Sequence, residues 1–274
     1  MPGAVVTGAA RGLGLEIARA LSARGLTVQL TDVDGAAVET AAAGLAGDVF
    51  ASTLDVRDAE ACHTAARQTA ERAGSLDVWV NNAGVLFTGP TWEQEEELRR
   101  LMLEVNTVGT VNGTLAALEL MRPLGRGHVI NIVSLAGLGA PPGEAYYAAT
   151  KHAALGFSLG TLADLRRDGV KGVHISAVCP DGIWTPMLED KLDDPDAAPS
   201  FSGTLLSAAD VAPRVVSLLD RPRAVLAIPR WRGWFVRAFA NFPNAAQRAI
   251  PLFMADARRK QKRWKKRIES GDTP

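Results

Sequence analysis

Val5-Val6-Thr7-Gly8-Ala9-Ala10-Arg11-Gly12-Leu13-Gly14 is the stretch whose reading decides the fold. The two valines read as the end of a short buried strand. Beyond Gly14, the apolar residues Leu15, Ile17, Ala18 and Leu21 recur at helical spacing as far as the stop signal Arg24-Gly25. A strand that passes through a glycine-rich turn into a helix leaves backbone N–H groups free at the positive end of the helix dipole, where a phosphate can approach closely. The spacing here is G-x-x-x-G-x-G rather than G-x-G-x-x-G, but the physical arrangement is the same. A glycine turn can also be only a tight connection, so its surroundings decide.

Outward from that turn, the pattern repeats. Thr27-Val28-Gln29-Leu30-Thr31 reads as a strand ending at Asp32, followed by a helix over 34–46 and a strand over 49–54. A helix over 58–73 leads to the strand Leu76–Val80 and then Asn81-Asn82-Ala83-Gly84. A long helical region over 92–122, a strand over 128–133, a helix over 144–168 and a strand over 172–178 come next. Helix 208–219 and strand 224–228 close the series. Apolar strands alternating with helices predict a parallel sheet covered on both faces, wound in two directions by right-handed crossovers. The fold expected is therefore an α/β, Rossmann-like doubly wound sheet over residues 1–228, with a distinct basic, amphipathic extension over 229–274.

The bulk numbers fit. The chain has 274 residues, 47% apolar and 22% charged, as expected for a globular protein with a sizeable core. The first residues lack a basic region, so no secretory signal is expected, and no apolar run reaches the roughly 18–20 residues of a membrane-spanning helix. A cytoplasmic protein is expected. Cys62 and Cys179 suggest neither a disulfide framework nor a metal site, and the four histidines show no ligand spacing. The net charge of zero conceals an asymmetry. Residues 221–274 hold 14 of the 30 Lys and Arg against three acids, a balance of +11, which leaves −11 on the remainder.

In a doubly wound sheet, ligands bind at the carboxyl ends of the strands, and the chemistry-bearing residues fall there. The turn Gly8, Arg11, Gly12, Leu13 and Gly14 is placed for a pyrophosphate. Asp32 ends the second strand 24 residues beyond Gly8, where a carboxylate can accept from a ribose diol and repel a 2′-phosphate. Arg11 pulls the other way; the carboxylate carries more weight, favouring NAD with NADP as the alternative. Asp34 suits the helix N-cap position better than Asp32 does. Tyr147 and Lys151 lie one helical turn apart and share a face, an arrangement in which an ammonium lowers the phenol below its usual value of about 10 and makes it a general acid or base. Ser134, just beyond the strand 128–133, can orient a substrate oxygen.

Taken in order, Thr7-Gly8-x-x-x-Gly12-x-Gly14, Asp55-Val56, Asn81-Asn82-Ala83-Gly84, Asn106, Ser134 and Tyr147-x-x-x-Lys151 resemble the classical short-chain dehydrogenase/reductase family over almost all of residues 4–228. The resemblance implies a nicotinamide cofactor and hydride transfer between it and an alcohol/ketone pair. It places Asp55 and Val56 against the adenine, and Asn82, Ala83 and Gly84 along the cofactor path. It also gives Asn106 a water beside Lys151 and lets Lys151 bond the nicotinamide ribose. Pro180, Ile183 and Thr185 would support the nicotinamide amide. The chain departs from the family at Asp181, where a glycine is usual. A dimer or tetramer is implied as well.

For the substrate, the loop after Thr185 reads as a mobile lid over an apolar pocket, with Trp184, Met187, Leu188, Phe201, Leu205, Phe87 and the residues from Leu138 to Pro142 as candidate lining. The extension interleaves Trp231, Trp234, Phe235, Phe239 and Phe242 with arginine before the basic run 258–267. Three uses suit it: packing on the acidic body or a second subunit, peripheral contact with a membrane surface, or cover for the substrate cleft. Nucleic acid is not expected, since aromatic interleaving alone does not specify it. The expected activity is an NAD-linked oxidoreductase acting on a small apolar alcohol or ketone, with Tyr147 as acid/base. The rivals are an NADPH-dependent 3-oxoacyl thioester reductase and a non-catalytic nucleotide-binding scaffold at a membrane.

Overall fold

In the computed structural model, which describes residues 1–273, the predicted alternation is realised as a seven-stranded parallel sheet. The strands are β1 (Gly3–Thr7), β2 (Thr27–Asp32), β3 (Val49–Thr53), β4 (Leu76–Asn81), β5 (Gly127–Ile132), β6 (Val173–Pro180) and, after two short strands outside this sheet, β9 (Val225–Ile228). Their order is β3-β2-β1-β4-β5-β6-β9, so the winding reverses between β1 and β4. That switch point opens a crevice at the strand ends, which is where a dinucleotide lies in such sheets.

Both faces are covered. Helices α1 (Gly12–Ala23), α2 (Gly35–Ala43) and α8 (Ala208–Val216) bury Ile17, Leu21, Val38, Val211 and Val215 against one face. On the other face, α3 (Ala59–Ala73), α5 (Gly109–Leu124) and α6 (Ala145–Arg167) pack Cys62, Ala116, Met121 and Leu165 against Trp79 and Val129. The small residues of α3 and α5 let these helices lie close to the sheet. A Cβ on Gly113 would stand 2.1 Å from Asn81 Oδ1.

The predicted helix over 92–122 is interrupted. It begins at α4 (Glu96–Leu103) and passes through one π turn, Glu104–Val108, before α5. A π turn inserts an extra residue and rotates the helix beyond it, and such bulges occur often at functional sites. Asn106 sits at its centre, fully buried.

Beyond Pro180 the chain forms a small parallel pair, β7 (Ile183–Trp184) with β8 (Leu206–Ser207), which the sequence pattern does not suggest. Between them run α7 (Pro186–Glu189) and a 3-10 segment, Pro195–Phe201. This is the expected mobile lid, and it is strapped down. Gln261 donates to the carbonyls of Lys191 (3.2 Å) and Asp194 (2.7 Å), and Lys260 donates to that of Ser202 at 2.8 Å. Lys265 pairs with Asp193, and Thr88 bonds Asp194 from the opposite side. The strap is α10 (Pro243–Glu269), a helix roughly 40 Å long that comes after α9 (Arg230–Ala240). Leu188, Phe201 and Leu205 are buried with Trp184 and Trp264 beneath it, so Phe201, Leu205 and Trp184 are core side chains here rather than the expected pocket lining.

Candidate active site

One large cleft, about 1320 Å3, lies along the carboxyl ends of the strands. That exceeds the roughly 300–1,000 Å3 of an ordinary small-ligand pocket, which leaves room for a dinucleotide and a substrate together. Gly8, Arg11, Gly12, Leu13, Asp32, Asp55, Val56, Asn82, Ala83, Gly84, Ser134, Tyr147, Lys151, Pro180, Ile183 and Thr185 all line it. Of the catalytic and cofactor residues read from the sequence, only Gly14 and Asn106 stand behind the wall.

The glycine turn has a physical requirement at each glycine. Gly8 and Gly12 take φ of +62° and +61°, a left-handed conformation that a side chain resists. At Gly14 a Cβ would meet Gly8 O at 2.3 Å, so this glycine lets the helix start close against the turn. Asn82 holds the turn in place: its side-chain amide donates to the carbonyls of Thr7 and Gly8, each at 2.9 Å. Thr7 Oγ1 accepts from the N–H groups of Asn82 and Ala83, both at 3.0 Å. The cradle therefore fits a diphosphate: open N–H groups at a helix N-terminus, no side chain in the way, and a rigid backing.

Asp32 extends from the end of β2 and accepts from the N–H of Ala10 at 3.1 Å and of Asp34 at 3.2 Å. Asp34, not Asp32, caps α2, with its side chain accepting from Ala37 N. The Asp32 carboxylate is thus free of the capping job and faces the cleft. Asp55 is bound to Arg57 at 2.6 Å, and the guanidinium holds its carboxyl below the usual carboxylate range. Arg57 also reaches Glu104 at 3.3 Å, linking the β3 end to the π turn, a contact that no motif announces.

The reacting end is built from β5, the turn after it and α6. Lys151 is 4% exposed; its Nζ donates to the Ile132 carbonyl at 3.0 Å and stands 5.6 Å from the centre of the Tyr147 ring. Ser134 accepts from Ala136 N at 3.1 Å and hydrogen-bonds the Tyr147 phenol. The acidities differ from expectation. Burial pushes the phenol of Tyr147 up rather than down, the charge of Glu144 adds to this, and the Ser134 hydrogen bond opposes it. Burial also pushes Lys151 down, to about 8. In the free protein, desolvation outweighs the neighbouring ammonium.

Asn106 does not reach Lys151. Its side chain accepts from Val85 N (2.8 Å) and donates to Val85 O (2.9 Å) and Thr150 Oγ1 (3.1 Å). Gly84 lies between the two: a Cβ there would stand 3.2 Å from Asn106 Oδ1 and 3.6 Å from Lys151 Nζ. Asn106 thus fixes the loop that backs the lysine.

Two features of the cleft were not read from the sequence: the buried Glu144 and the pairing of Asp181 with Arg232. Glu144, three residues before Tyr147, is 3% exposed and accepts from Ser200 Oγ at 2.7 Å. Burial pushes its carboxyl up to about 7, with Asp194 adding to the rise. Asp181, the departure from the family, meets Arg232 at 2.8 Å, their side chains 6% and 12% exposed. Burial pushes Asp181 up despite the guanidinium, and Arg232 also donates to Ser202 Oγ at 3.2 Å. Asp181 does not take a positive φ, so the left-handed backbone a glycine would allow is absent here. The replaced glycine was the available signal for this pair; for Glu144 there was none beyond its nearness to the tyrosine.

A folded-state value near 7 against the ordinary 4.5 means that Glu144 adds stability below pH 4.5 and that this is lost as pH rises through 7. Glu144→Gln keeps an acceptor for Ser200 and removes the titration. Unfolding measured from pH 4 to 8 is expected to show the variant gaining on the parent by on the order of 3 kcal/mol over that span. Parallel stability curves would refute the assignment.

With this geometry in hand, comparisons with known proteins are informative. A short chain dehydrogenase family model matches residues 3–196. A 1-deoxy-11-beta-hydroxypentalenate dehydrogenase of Streptomyces exfoliatus is 37% identical over 231 residues, covering 81% of each chain. An L-fucose dehydrogenase of Bos taurus is 36% identical over 188 residues, covering 68% of this chain and 67% of its own. Among solved structures, levodione reductase superposes with a TM-score of 0.74 at 28% identity, covering 82% of this chain and 95% of the other. A short-chain dehydrogenase/reductase from Burkholderia phymatum in complex with NAD gives 0.79 at 26%, covering 89% and 94%. The chain belongs to the short-chain dehydrogenase family and is an oxidoreductase acting on CH–OH groups.

Proposed function

We propose that the protein transfers hydride between NAD and a secondary alcohol/ketone pair on an apolar substrate, with Tyr147 as the general acid/base. The observation that carries this reading is the convergence of the Tyr147 phenol, the Ser134 hydroxyl and the Lys151 ammonium in the cleft that also holds the glycine turn and Asp32. The bound nicotinamide supplies the hydride chemistry. Tyr147 passes the proton to or from the substrate oxygen, and Ser134 holds that oxygen in place. Lys151, with one proton directed at Ile132, has two more to offer the ribose and the phenol. Asn106 acts as a positioning residue through Val85 and Gly84.

NAD is favoured by the Asp32 carboxylate facing the cleft at the end of β2, where it would repel a 2′-phosphate; Arg11 in the same cleft pulls the other way. Support also comes from the NAD bound to the Burkholderia phymatum neighbour. The relatives alone do not choose the substrate, since a sugar dehydrogenase is among them. An apolar substrate is supported by the cleft walls, which include Phe87, Met187, Phe235, Phe239, Ile250 and Phe253. Steady-state turnover of a carbonyl panel with NADH and with NADPH tests both points. Asp32→Ala is expected to weaken NADH and improve NADPH, reversing the preference. A parent that prefers NADPH and reduces 3-oxoacyl thioesters best would refute the proposal in favour of that rival.

A further inference from the structure

The two halves of the C-terminal extension have different surroundings. The second half of α10 presents Lys260, Gln261, Trp264 and Lys265 to the protein's own lid. The elbow between α9 and α10 does the reverse. Trp234, Phe242 and Leu252 are 72%, 69% and 77% exposed, and Trp231, Phe235 and Phe239 are exposed as well. Single exposed apolar side chains are ordinary; six large ones on one elbow are not. Residues 231, 234, 235 and 239 follow helical spacing along α9, the Phe235 and Phe239 rings lie 4.7 Å apart, and Phe242 follows at the start of α10.

We infer that this elbow docks on the surface of an anionic phospholipid bilayer and that the substrate cleft opens onto that surface. Charge selects the partner. No Asp or Glu occurs between Asp220 and Asp256, while Arg237 and Arg248 are exposed within the patch. A helix with an apolar aromatic face and arginines beside it lies in a lipid interface, its rings among the acyl chains and its cations at anionic headgroups. A second copy of this chain fits less well. A two-fold interface would set the same acid-free, arginine-bearing patch against itself and bring like charges together.

Continuity with the cleft gives the docking its purpose. Phe235, Phe239 and Leu252 are exposed members of the elbow and also line the cleft. The patch and the cleft thus share side chains, and an apolar substrate dissolved in lipid enters the cleft from that surface. This part rests on the apolar substrate proposed above; the docking does not.

Flotation of the full-length protein with phosphatidylcholine vesicles, with and without phosphatidylglycerol, is the test. Binding to the anionic vesicles that weakens with added salt is expected. Trp234→Ser combined with Phe242→Ser alters two side chains that do not line the cleft, and leaves Trp231 and its neighbour Arg232 in place. The double variant is expected to bind on the order of tenfold more weakly, yet keep its melting temperature and its turnover of a water-soluble ketone. Arg237→Glu with Arg248→Glu provides a second arm that leaves the aromatics intact, and it too is expected to lose vesicle binding. The inference is overturned if the parent never floats, or if both variants float as well as the parent. A native mass that halves in the serine variant without any flotation would overturn it too, assigning the patch to a second copy. An active protein that does not float sinks the docking alone; an inactive one that floats sinks the proposed chemistry alone.

Discussion

Tyr147→Phe is expected to lower turnover by about 10²–10⁴-fold while leaving NADH affinity unchanged, the range by which a positioned acid or base accelerates a reaction. The substitution removes one oxygen and keeps the ring against Lys151, so the wall of the cleft is preserved. Burial holds the phenol protonated, which readies it as an acid for carbonyl reduction. In the oxidative direction the same burial is a handicap that added positive charge must offset. Ser134→Ala should lower kcat and also raise the phenol further, since its hydrogen bond is the one influence found to lower that group. Fluorescence titration of NADH beside single-turnover kinetics checks both halves of the expectation. Retained turnover in Tyr147→Phe would remove the tyrosine from the mechanism and revive the nucleotide-binding scaffold.

Arg232→Ala is expected to cost about 3–5 kcal/mol of stability, because it leaves the Asp181 carboxylate buried without its cation. For a chain of this size that corresponds to a fall in Tm of roughly 10 °C. The Asp181 side chain is only 6% exposed and packs closely against Gly203, where an added Cβ would stand 1.9 Å from Oδ2. Adding Asp181→Gly, which restores the residue usual in the family, should recover most of the loss. The two substitutions would then be strongly non-additive, as for groups in direct contact. Calorimetry on the two single variants and the double variant measures the coupling. Additive effects would mean that Arg232 acts through Ser202 or Trp231 instead.

Much of this was legible in the sequence, and the reason is periodicity. Each strand–helix unit carries its own apolar repeat and stop signal, so β1 to β6 and their helices could be placed within a few residues. The glycine turn, Asp32, Ser134, Tyr147 and Lys151 were legible because the sheet brings strand ends together whatever the loops do. What was hidden depends on burial and on partners distant in sequence. The phenol of Tyr147 rises because its surroundings are dry, and no spacing reports dryness. Glu144 looked like an ordinary acid at a helix start until Ser200, 56 residues away, closed over it. The lid was read as mobile from its Pro and Asp content, which says nothing of the helix that straps it. Asn106 read as holding a water beside Lys151; its bonds to Val85 and Thr150, made from within the π turn, are what no spacing announces.

The roof of the cleft has a consequence for how such an enzyme changes over generations. The proposed dinucleotide cradle and proton-handling groups lie within residues 8–185, while a stretch near the C-terminus, Phe235 to Phe253, adds much of the apolar cover beside Phe87 and Met187. Inheritance can therefore rewrite the cover, and with it the choice of alcohol, without disturbing the chemistry below. Arg232 is the exception. A lineage that replaces the cover must carry this arginine along or return position 181 to glycine, so the two positions should change together.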